Sequence, residues 1–134
     1  MILKVYTDGG SRGNPGPSAI GGIGYLNGKK IFEFKKSIGN ATNNDAEYRA
    51  LIEALNIIRN LKFEILNQFK KIEFYSDSRL MVNQVNGMFK VKNGKIKEYI
   101  LIIRGLEQEI NLSIIYRLIP REQNIEADKL VNEV

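Results

Sequence analysis

Asp8, Glu47, Asp77 and Asp128 are acidic residues in four separate patterned segments of the chain. Asp8 and Asp77 each close an apolar, strand-like run, and Glu47 and Asp128 each lie on a helical pattern. Singly, each has an ordinary explanation: Asp8 suits a turn, Asp77 a helix N-cap, and Glu47 and Asp128 solvated helix faces. Jointly, they place carboxylates on elements that one sheet could bring to a single point. Clustered carboxylates repel, which raises their pKa values or recruits cations. Two divalent ions about 3.5–4 Å apart in such a cluster can clamp an in-line phosphoryl transfer, with no nucleophilic side chain.

Composition narrows the chemistry further. The 134 residues contain no cysteine and no histidine, so thiolate zinc sites, disulfides and Ser-His catalysis are excluded. Any metal must be held by oxygen, which points to magnesium or manganese. The chain length suits one domain spanning residues 1–134, and 43% hydrophobic residues are ordinary for a globular core. No apolar run approaches a membrane span, and Met1–Thr7 lacks the basic flank of a secretory signal. A cytoplasmic, monomeric protein without an obligate protein partner is expected. The net charge of +5 and a pI of about 9.4 suit a polyanionic partner.

The elements that must position the carboxylates follow from periodicity. Ile2–Asp8 reads as a strand, followed by a Gly- and Pro-rich turn over Thr7–Pro17. Ala19–Leu26 and Lys30–Ser37 flank Asn27-Gly28, a strong hairpin signal, so the first three strands form an antiparallel meander. Ala46, Ala50, Leu51, Ala54, Leu55 and Ile58 mark a helix over Asn43–Asn60, with Asn43 or Asn44 as N-cap. Then come a strand at Lys71–Tyr75, a short helix at Ser78–Asn86 and a basic loop at Gly87–Gly94. A helix at Ile96–Ile110 interrupted by Gly105, a strand at Leu112–Ile119 and a terminal helix from Glu122 complete the chain. The order βββαβααβα with right-handed crossovers predicts an α/β fold: a mixed five-stranded sheet with helices on both faces. Ligands of such sheets sit at the carboxyl ends of the parallel strands, where Asp8 and Asp77 fall.

Four blocks, TDGGSRGNPGPSAIGGIGY, NATNNDAEYRALIEAL, FYSDSRLMVNQVNG and PREQNIEADKLV, together resemble the type 1 ribonuclease H family, from about Leu3 to Val131. The resemblance implies a ribonuclease H-like fold and an endonuclease that cleaves the RNA strand of RNA–DNA hybrids. It implies magnesium, as two ions with manganese a possible substitute, and products with 5′-phosphate and 3′-hydroxyl ends. By that likeness Asp8 bridges both ions, Asp128 helps hold the ion on the water side, and Glu47 and Asp77 hold the ion on the leaving-group side. The substrate-facing set it implies is Gly9, Gly10, Arg12, Gly13 and Asn14 in the turn, with Thr42, Asn43 and Asn44 before Glu47. Ser78 and Arg79 after Asp77, Phe89, Lys90 and Lys92 in the basic loop, and Asn124 complete it. Asn14 and Asn44 would meet RNA 2′-hydroxyls, and Thr42 a DNA-strand phosphate.

The chain departs from the family pattern in three places. The histidine that many members carry before the last carboxylate is absent, and Arg121 or Glu122 stands in its neighbourhood. Arg121 would draw the product phosphate away by charge. Arg79 stands where some members have glutamine. The Trp-rich basic protrusion is reduced to Gly87–Lys95, where Phe89 lies among Lys90, Lys92 and Lys95. The Gly-rich turn lacks the Gly-Lys-Ser/Thr ending of a phosphate loop. A noncatalytic hybrid- or RNA-binding module is the alternative reading, weakened because all four carboxylates are kept. Cleavage of double-stranded RNA is left open by the sequence.

Overall fold

The computed structural model describes residues 1–134 throughout. Its strands are β1 (Ile2–Ser11), β2 (Gly16–Leu26), β3 (Lys29–Ala41), β4 (Lys71–Ser76) and β5 (Ser113–Leu118). Its helices are α1 (Asn43–Arg59), α2 (Phe63–Leu66), α3 (Arg79–Val85), α4 (Gly94–Ile110) and α5 (Ile125–Asn132), with a 3₁₀ turn at Arg121–Gln123. The five strands form one mixed sheet in the order β3-β2-β1-β4-β5. β1–β2 and β2–β3 pair antiparallel, while β1–β4 and β4–β5 pair parallel.

Strand alternation sorts the two faces. Leu3, Val5 and Thr7 are buried on one side of β1, where α1 packs. Lys4, Tyr6 and Asp8 take the opposite side, and α5 lies across β2 and β1 there. The six apolar positions that set the period of α1 are all buried, joined by Tyr48. Leu51 is closed off among them, so Leu51→Ala should cost about 2–5 kcal/mol. α4 packs on α1 rather than on the sheet. It runs unbroken through Gly105, which is exposed and faces open space.

Other boundaries also moved for local reasons. β1 continues past Asp8 to Ser11, because Gly9–Ser11 pair with Ile20–Ser18. The parallel pairing with β4 nevertheless ends at Tyr6–Tyr75, so Asp8 still lies beyond the parallel ladder. Thr42, not Asn43 or Asn44, caps α1: Asp45 stands three residues on and completes a reciprocal capping box. Ser78 caps α3 by accepting from Met81 N–H at 3.2 Å, which frees Asp77 from that duty. α2 is a single turn, too short to leave a periodic signal. The terminal helix starts at Ile125, because Asn124 takes a non-helical backbone (φ −110°, ψ 35°) between the 3₁₀ turn and α5.

Candidate active site

Each carboxylate reaches the site by a different physical route. Asp8 is carried by β1 and is 7% exposed; Glu47 sits on the second turn of α1 and is 8% exposed. Gly9 N–H donates to Glu47 Oε1 at 3.0 Å, so the strand orients the helix carboxylate. That contact needs a glycine. A Cβ at position 9 would stand 2.3 Å from the Ala46 carbonyl carbon, inside the α1 backbone. Asp77 follows β4, and one carboxylate oxygen from each of Asp8, Glu47 and Asp77 lies within 4.8 Å of the others. Asp128, on α5, stands outside that trio but against the Asp8 carboxyl. α5 is brought close by another glycine: a Cβ on Gly21, opposite Asp8, would meet Leu130 Cβ at 2.9 Å and Ala127 O at 3.0 Å.

The site is strongly anionic. Burial, then the charges of Asp77 and Asp128, push the Asp8 pKa up to about 8. Burial, then Asp8 and Asp77, push Glu47 well above the usual carboxylate range, and Arg121 pulls weakly the other way. None of the four carboxylates forms a salt bridge. An all-oxygen set with no salt-bridged cation suits a hard divalent ion, which would replace the protons the cluster otherwise retains.

The carboxylates open into a groove of about 600 Å³ lined also by Gly9, Gly10, Arg12, Asn43 and Arg121. Arg121, the proposed stand-in for histidine, therefore faces the cluster from an exposed position. At the rim, two asparagines clamp the turn to α1. Ser11 N–H donates to Asn43 Oδ1 at 2.8 Å, and Asn43 N–H donates to Asn14 Oδ1 at 2.9 Å. Both oxygens are engaged, while the exposed Asn14 and Asn43 make no hydrogen bond within the protein through Nδ2. The likeness gives the 2′-hydroxyl contacts to Asn14 and Asn44; Asn43 shares the rim with them. Asn44 is half-buried beside them, and Gly10, Arg12 and Gly13 lie on the accessible side of the turn.

The other expected contact residues differ in how far they face the groove. Gly9 is buried under α1 and also borders the groove, and its missing side chain is required by the packing on Ala46. Asn124 is 1% exposed and faces inward: Nδ2 donates to Thr7 O at 2.9 Å and to Asp77 Oδ2 at 3.4 Å. It holds a carboxylate from inside the fold, with almost none of its own surface exposed. Thr42 and Ser78 both spend their hydroxyls on helix caps. Arg79 is exposed at the start of α3. Phe89 (39% exposed), Lys90 and Lys92 lie on an open loop outside the groove. Asp45 was missed. It is buried beside Glu47, and the S/T-x-x-acid spacing from Thr42 was its one sequence signal.

Sheet order, crossovers and a carboxylate cluster beyond the parallel ladder together define a protein of the ribonuclease H-like class. Residues 6–134 match the family described as reverse transcriptase-like. The chain is 35% identical over 135 residues to the bifunctional protein Rv2228c of Mycobacterium tuberculosis, covering 99% of this chain and 35% of that protein. It is 37% identical to ribonuclease HI of Halobacterium salinarum, covering 98% of this chain and 63% of the relative. It thus spans about a third of the mycobacterial relative's length. LC11-RNase H1, solved in complex with an RNA/DNA hybrid, superposes with a TM-score of 0.88 at 38% identity, covering 98% of this chain and 95% of that one. RNase H1 of H. salinarum gives a TM-score of 0.88 at 34% identity, covering 99% and 96%. The chain belongs to the type 1 ribonuclease H family.

Proposed function

We propose that the chain is a metal-dependent endoribonuclease that hydrolyses the RNA strand of RNA–DNA hybrids and leaves 5′-phosphate and 3′-hydroxyl ends. The observation that carries the reading is the Asp8–Glu47–Asp77 oxygen cluster with Asp128 against it. The name of the LC11 complex, an RNase H1 with an RNA/DNA hybrid, supports the substrate class. Asp8, Glu47, Asp77 and Asp128 would hold two magnesium ions, with manganese as substitute. Bound there, the ions supply water activation and charge neutralisation at the leaving oxygen.

The chain's own residues do the rest. Asn14 and Asn43 donate to acceptor oxygens of the RNA strand, 2′-hydroxyls included. Gly9 N–H and Asn124 Nδ2 fix Glu47 and Asp77 before substrate arrives. Arg121 offers an exposed cation for the product phosphate at the groove edge. Lys90 and Lys92 add salt-sensitive phosphate contacts. The reading includes a monomer acting in the cytoplasm.

The test uses end-labelled RNA as hybrid, as RNA duplex and as single strand, with magnesium, manganese or excess chelator, beside Asp77→Asn. Metal-dependent cutting of the hybrid that Asp77→Asn abolishes is the expected result, and the duplex lane measures selectivity. Tight hybrid binding without cutting under any metal would make the chain a binding module instead.

A further inference from the structure

We infer that Asp45 is a positioning residue for substrate engagement, latching the substrate-facing first turn of α1 to the start of α4, the helix that follows the basic loop. The inference rests on the hybrid-binding reading above. Asp45 divides its two oxygens between two tasks. Oδ2 accepts from Thr42 N–H at 3.2 Å and Thr42 Oγ1 at 2.9 Å, closing the cap of α1. Oδ1 faces α4, accepting from the Tyr99 hydroxyl at 3.3 Å with Lys95 Nζ at 3.5 Å.

A helix cap needs one carboxylate oxygen. The second, in a residue 9% exposed, is committed across the helix pair. Its partner is itself held: the Tyr99 ring stacks on Tyr48 with centroids 5.5 Å apart, and the Tyr48 hydroxyl donates to Gln84 Oε1 at 2.8 Å in α3.

What the latch joins gives it meaning. On one side are Asn43, Asn44 and Glu47, which line or border the groove. On the other, α4 starts at Gly94, capped by Asn93, directly after the loop carrying Phe89, Lys90 and Lys92. The loop's near end is tied to α3, where Met88 N–H and Phe89 N–H donate to Asn83 O at 2.8 and 3.1 Å. Its far end runs directly into α4 at Asn93–Gly94. The other polar tie between α1 and α4, Arg59 with Glu109 at 3.0 Å, lies at the far ends of both helices. The latch therefore sets the spacing between the amide donors and the lysines, two contacts made with one hybrid.

The test is steady-state cleavage of a hybrid by Tyr99→Phe, which keeps the stack and the cap and removes only the bridging hydroxyl. Loss of one such hydrogen bond should raise KM about threefold to tenfold and leave kcat within about twofold. Glu109→Ala, which cuts the far tie, should leave KM unchanged. In a background of Lys90→Ala with Lys92→Ala, Tyr99→Phe should add little, because the latch acts through the loop. An unchanged KM, an equal rise in Glu109→Ala, or full multiplication with the lysine variants overturns the inference. If the wild-type chain cuts no hybrid, the nuclease reading fails by itself. The same variants, measured for binding of a fluorescent hybrid, then test the latch with Kd in place of KM.

Discussion

Asn124 donates to the carboxylate of Asp77 across 3.4 Å, from a side chain that also holds the carbonyl of Thr7 at 2.9 Å. One buried amide thus joins the loop before α5 to both central parallel strands at the point where their carboxylates emerge. Asn124→Ala removes the donor, frees Asp77 to rotate and leaves the Thr7 carbonyl unpaired. Activity should fall about tenfold to a hundredfold through kcat or metal affinity. Stability should fall by about 1–3 kcal/mol. Thermal melts and a magnesium titration of the cleavage rate check both.

Without metal, the protein should lose stability as pH rises. The Asp8 carboxyl titrates near 3.8 when unfolded and at about 8 when folded, so between those values the unfolded chain is ionised while the folded one retains its proton. The native state then holds more protons than the unfolded state, and raising pH favours unfolding across that window. Glu47, shifted the same way, adds to it. Melting in chelator should give a Tm that declines from pH 5 to pH 8, and magnesium should reverse the decline. Asp8→Asn should melt higher than wild type at pH 8 in chelator and respond far less to magnesium. An Asp8→Asn protein that melts lower there would contradict this account of the cluster.

Gly21→Ala tests the contact beneath α5. The added methyl meets backbone at Ala127 O and the Leu130 Cβ, neither of which can swing aside as a side-chain tip would. α5 must lift, carrying Asp128 away from Asp8. Overpacking should cost about 1–3 kcal/mol. Activity should drop by more than an equally destabilised core variant such as Ile103→Val. Comparable losses in the two variants would show that the distance of α5 from the sheet is not critical.

The outward amides predict a difference between two substitutions at one site. Asn43→Asp keeps the oxygen that Ser11 N–H requires but replaces the outward donor with a second anionic oxygen. The fold should stay intact, while KM for hybrid rises about tenfold or more from the lost donor and charge repulsion. Asn43→Ala should bind better than Asn43→Asp yet melt lower. The reverse order in KM would mean that the amide accepts from substrate instead of donating.

Period and turn chemistry made much of the fold legible. The buried stripe of α1 and the Asn27-Gly28 hairpin were plain from local pattern, and the four carboxylates stood out by context. What stayed hidden depends on contacts distant in sequence. Gly9 and Gly21 read as turn or strand interruptions, but their roles are set by helices 38 and 106 residues further along: Glu47 for one and Ala127 for the other. Asn124 was expected among the substrate contacts, because nothing local announces that it turns inward to Thr7 and Asp77. The second oxygen of Asp45 has its partners on α4, outside the reach of any capping rule.

The carboxylates are distributed from Asp8 in the first strand to Asp128 in the last helix, and β1 at the centre of the sheet waits for partners on both sides. During synthesis the β1–β2–β3 meander and α1 can form early, bringing Asp8 and Glu47 together. Asp77 arrives when β4 joins β1, and Asp128 only after α5 has left the ribosome and settled over Gly21. A chain folded only as far as β4 accordingly holds three of the four carboxylates.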